Sequence, residues 1–129
     1  MDPEIPDKRD DESPERIPQV SETEPEREAR QPERIAHFIR QLSDDDEVTR
    51  WRSAEALGRI GDPEALEPLI DALWDEDARV RQKAVWALGE IGDERAVPSL
   101  RRLYRIERED MRETIQEALD AINQAAGPG

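Results

Sequence analysis

One stretch of this chain is written twice. ALGRIGDPEALEPL, residues 56 to 69, returns as ALGEIGDERAVPSL at residues 87 to 100. A shift of 31 residues carries Ala56, Leu57 and Ile60 onto Ala87, Leu88 and Ile91, and a second such shift carries those onto Ala118, Leu119 and Ile122. Arg50, Arg81 and Arg112 fall into the same register. A fixed period in this range marks a stacked repeat, whose units bury their apolar faces only against their neighbours.

Each unit reads as two helices. Leu66, Leu69, Ile70 and Leu73 make one apolar stripe at helical spacing, and Val80, Ala84, Ala87, Leu88 and Ile91 make another. Gly61 and Gly92 suit the left-handed cap that ends a helix, and Asp62 and Asp93 follow as N-caps of the next one. Pro63 then takes the first helical position, where a missing N–H costs nothing. By the same reasoning Ser43 caps the run Asp44, Asp45, Asp46, and Asp75 caps Glu76 and Asp77. The spacing predicts six helices, at about 32–42, 45–60, 63–74, 77–91, 94–106 and 108–124.

Composition narrows the field. The chain has 129 residues with 33 acidic against 19 basic side chains, a formal charge of −14, which disfavours nucleic acid and anionic membrane surfaces. Cysteine is absent, so disulfides, thiolate zinc sites and thiol nucleophiles are excluded. MDPEIPDKRDDE has no signal-peptide pattern and no apolar run reaches membrane-spanning length, so a cytoplasmic protein is expected. Six of the ten prolines fall at or before Pro32. Residues 1–30 therefore read as an acidic, Pro-rich disordered tail, 31–125 as the repeat domain with units at about 32–61, 62–92 and 93–124, and 126–129 as a flexible end.

The pattern VRQKAVWALGEIGDERAV, residues 80 to 97, resembles the short HEAT-like repeat of phycobilisome lyase subunits, through Val80, Arg81, Ala84, Val85, Ala87, Leu88, Gly89, Ile91, Gly92 and Asp93. The resemblance implies an all-α fold, a short right-handed α-solenoid of three two-helix repeats. Unit one departs from the pattern at Thr49. Unit three reads ALDAINQ, without both glycines and the aspartate, as expected of a terminal cap. The resemblance also implies that the second helices line a concave face, whose variable positions correspond to Val48, Trp51, Arg52, Glu55 and Arg59 in unit one and Arg79, Gln82, Lys83, Trp86 and Glu90 in unit two.

These positions hold the residues of most interest. At about 100° per residue, Trp86 lies roughly 120° from the apolar stripe of its helix, and Trp51 roughly 160° from the stripe of Thr49, Ser53, Ala56 and Ile60. Two indoles flanked by Arg52, Arg59, Arg79 and Lys83 suit a protein or peptide partner, because Trp and Arg are enriched at binding hot spots. The competing reading has Trp51 lying over Ala54 and Gly58 as packing. Trp74 extends the Leu66 stripe and reads as packing too.

Nothing in the sequence calls for catalysis, a cofactor or a metal. His37 stands alone, on the exposed side of the first helix, and one His cannot build a multi-histidine metal site. The acidic run at 44–47 serves a helix N-terminus better than a cation, since no calcium-loop spacing is present. The GxxG strings at 58–61 and 89–92 sit at helix ends, where capping and close packing account for them. RRLYRIERED, residues 101 to 110, has a composition that touches nucleic acid, but Glu107, Glu109 and Asp110 dilute it to a solvated face. The expected function is a non-catalytic scaffold or binding module, with homodimerisation through an end of the stack as a further option. The alternative is an accessory subunit of a bilin lyase-type enzyme, with the two tryptophans stacking on a tetrapyrrole.

Overall fold

A computed structural model describes residues 24–127. Six α-helices follow in order, and no strand occurs among the described residues: α1 Glu24–Gln41, α2 Glu47–Ile60, α3 Leu66–Ala72, α4 Ala78–Ile91, α5 Val97–Ile106 and α6 Glu109–Ala125. Short 3-10 turns, Pro63–Ala65 and Glu94–Ala96, lead into α3 and α5. The expected all-α helical repeat is thus observed. The disordered tail expected over residues 1–30 falls mostly outside the described residues. Within it, α1 begins at Glu24 and carries Pro32 inside the helix. Proline removes one backbone donor without unwinding the helix here, so the expected start at residue 32 is corrected.

The second helices stack side by side. α2 packs on α4 and α4 on α6, while α3 lies against α4 and α5 against α6. One apolar cluster runs through the repeat and includes Leu57, Leu66, Leu69, Leu73, Val80, Val85, Leu88, Leu100, Leu103, Ile115 and Ile122. Ile35, Phe38 and Ile39, in the part of α1 after Pro32, and Leu42, just past its end, belong to the same cluster. Each fully buried Leu or Ile side chain contributes roughly 1.5–3 kcal/mol against exposure. In a chain without disulfides, this burial is what holds the stack.

The ends of the helices follow the repeated letters. Gly61 and Gly92 take φ of 73° and 74°, and their N–H groups donate to the carbonyls of Leu57 and Leu88. Asp62 and Asp93 accept from the backbone N–H of Glu64 and Arg95 and so start the 3-10 turns. Two other caps differ from expectation. Asp46, not Ser43, caps α2, accepting from the Thr49 N–H at 3.2 Å and the Thr49 hydroxyl at 3.0 Å. Asp77, not Asp75, caps α4, accepting from the N–H groups of Arg79 and Val80.

Asp75 is committed elsewhere. Arg50, only 9% exposed, donates through Nε and Nη2 to its two carboxylate oxygens at 3.0 and 3.2 Å, and through Nη1 to the carbonyls of Asp44 and Asp45. This fork raises the Arg50 pKa further, chiefly through the hydrogen bond to Asp75. Arg81 repeats the pattern, with Nε on Glu107 at 2.7 Å and Nη1 on the carbonyls of Asp75 and Glu76. Each arginine therefore ties the turn before its own helix to the following turn between helices. Arg112 ends the series by donating to the carbonyls of Tyr104 and Arg105 in the last turn of α5.

Candidate functional site

The α2/α4 face is built on a close approach. A Cβ placed on Gly58 would meet the Ala87 Cα and Cβ at 2.9 Å each and Trp86 Cζ3 at 2.6 Å. Only glycine lets α4 come this near, and Trp86 lies across the gap with 37% of its surface exposed. The next register position, Gly89, faces Ala118 with a looser fit of 3.1–3.2 Å. The third is Asp120, exposed and accepting from Gln116.

Trp51 occupies the same face nearer the start of α2. Its ring is half-buried, with Arg52 and Arg79 each 5.7 Å from the centroid and Lys83 at 5.5 Å. Its Nε1 is buried without an acceptor. Leaving such a donor unmet costs about 1–3 kcal/mol. Glu55, one turn further along α2, receives Arg59 at 2.7 Å and Lys83 at 3.6 Å. Among the described residues neither Arg52 nor Arg79 has a carboxylate partner.

The structure thus gathers Trp51, Arg52, Glu55, Arg59, Arg79, Lys83 and Trp86 around the α2/α4 seam. Gln82 turns to the next seam, lining a cleft with Asp110, Met111 and Thr114 of α6. Val48 is half-buried and Glu90 exposed. The tryptophans are not equivalent in the repeat: Trp51 falls in register with Gln82, and Trp86 with Glu55. What joins them is the crossing of α2 and α4, with Gly58 about 10 Å along α2 from Trp51.

Trp74 corrects its expectation. Rather than packing, it is 43% exposed with the Arg102 guanidinium 6.0 Å from its ring centroid. It follows the last turn of α3 and so leaves the buried stripe. Ile106, at 71%, and Tyr104, at 36%, are exposed on α5, with Arg112 over the Tyr104 ring. His37 is exposed, its ring edge against Phe38. The acidic run at 44–47 is used locally, through the Asp46 cap and the Asp44 and Asp45 carbonyls. No described helix is long and apolar enough to cross a membrane.

The family of HEAT repeats matches over residues 35–120, and the chain belongs to it. No curated protein matches it.

Proposed function

We propose that this HEAT-repeat chain is a non-catalytic protein-interaction module. Its three repeat units, at about 32–61, 62–92 and 93–124, present the face of the second helices to a segment of a partner protein. Proteins built from HEAT repeats commonly mediate protein–protein contacts. The observation that carries the reading is the α2/α4 seam, where exposed Trp86 lies over Gly58, about 10 Å along α2 from an indole surrounded by three cations. The contact set is Val48, Trp51, Arg52, Glu55, Arg59, Arg79, Lys83, Trp86 and Glu90, with Gln82 on its border. Kinship to the phycobilisome lyase form of the repeat is supported by the run from Val80 to Asp93. Capture from native lysate with the wild-type chain and the Trp51→Ala, Trp86→Ala double variant, both shown folded by circular dichroism, tests the proposal. A partner held by the first and lost by the second supports it; a partner held equally by both removes it.

A further inference from the structure

We infer that the segment bound at the α2/α4 seam is acidic and carries an apolar residue beside its carboxylates, an inference that rests on the seam being the binding face. The chain as a whole is strongly anionic, at −14, yet three cations converge on the Trp51 ring. Cations held this close repel one another, and their attraction to the ring face is modest at an exposed site. An anion relieves that repulsion. The seam already holds one carboxylate of its own, Glu55, placed between Lys83 of α4 and Arg59 of α2. Glu55 shows the kind of group the seam receives and leaves Arg52 and Arg79 for carboxylates from outside, in the charge-assisted pairing that guanidinium groups favour.

The apolar requirement comes from Trp86. Its exposed ring lies over Gly58, two helical turns past Trp51, about 10 Å along the helix. A peptide whose carboxylates reach Arg52 and Arg79 therefore sets a neighbouring side chain on the Trp86 indole. Against the chain's net charge of −14, the cations around Trp51 form a local exception of the sign an acidic ligand needs.

The test uses the full chain and fluorescently labelled synthetic peptides, one of alternating Asp and Glu around a single Phe, and its Asn and Gln counterpart. The acidic peptide is expected to bind saturably, at least tenfold more tightly than the amide peptide, and less tightly as salt is raised. The Arg52→Gln, Arg79→Gln variant is expected to lose that tenfold preference, while Arg52→Lys, Arg79→Lys keeps most of it. Circular dichroism verifies the fold of both variants. Equal binding of the two peptides, or a preference that survives the Gln variant, overturns the acidic inference. Absence of saturable binding by the acidic peptide overturns it too. If both peptides bind equally and both are lost with Trp51→Ala, Trp86→Ala, the binding face stands and only its acidic preference fails.

Discussion

Gly58→Ala should separate the two glycines of the repeat by their surroundings rather than by their sequence. Both Gly58 and Gly89 lie inside helices, where alanine gains about 1 kcal/mol in helix propensity. Propensity alone therefore predicts that both substitutions stabilise. The space around them differs. At Gly58 the new methyl meets the Ala87 Cα and Cβ at 2.9 Å and Trp86 Cζ3 at 2.6 Å; at Gly89 the nearest atoms, Ala118 Cα and Cβ, stand at 3.1 and 3.2 Å. Trp86 is exposed enough to swing aside, but the Ala87 backbone moves only if α4 parts from α2. Overpacking of this kind costs about 1–3 kcal/mol, so Gly58→Ala should destabilise by about 1 kcal/mol net, while Gly89→Ala should be neutral or slightly stabilising. Urea unfolding followed by circular dichroism reads both, with a lower midpoint and unchanged slope expected for Gly58→Ala. Gly58→Ala matching or exceeding Gly89→Ala in stability would refute the close-approach argument.

Two further perturbations test the polar framework. Arg50→Ala removes four hydrogen bonds and leaves Asp75 with only the N–H of Asp77, so it should cost about 3 kcal/mol in urea unfolding; Arg112→Ala, whose side chain bonds to carbonyls and lies over the Tyr104 ring but has no carboxylate partner among the described residues, should cost about 1 kcal/mol. Equal losses would contradict the different partners assigned to them. Asp93 has its pKa lowered to about 2, first by the Arg95 side chain and then by the Arg95 backbone N–H. Its contribution is therefore full above the unfolded carboxylate value near 4 and lost as pH falls through about 2. The difference in thermal midpoint between wild type and Asp93→Asn, which keeps the cap, should shrink between about pH 4 and pH 2; a difference constant across that range would argue against the Arg95 pairing.

The repeat was legible because its signals are local. Gly61 and Asp62, then Gly92 and Asp93, turn the chain within two residues, and the stripes around Leu66 and Val80 follow from helical spacing. The choice of N-cap was not legible, since Asp75 and Asp77 are equally good capping residues by type. What separates them is Arg50, 25 residues away in sequence, which takes the Asp75 carboxylate. Arg50, Arg81 and Arg112 were visible in register, but their partners were not, because a carboxylate from the following turn is a tertiary fact. Trp74 was misplaced by extending a helical stripe beyond the residue where α3 ends at Ala72. The neighbourhood of Trp51 and Trp86 was only half readable: the angles set them off their apolar stripes, while the meeting of Trp51 with Arg79 and Lys83, and of Trp86 with Gly58, depends on the crossing of two helices.

The most direct test of the account is titration of the captured partner against wild type, Trp51→Ala with Trp86→Ala, and Trp74→Ala with Ile106→Ala, each with its fold verified by circular dichroism. The account predicts that the first double variant loses affinity by about 30-fold or more, as expected where the pair together costs about 2 kcal/mol or more, while the second binds as wild type does. The opposite result, with binding kept by the first variant and lost by the second, would contradict the account by moving the interaction to the exposed residues Trp74 and Ile106.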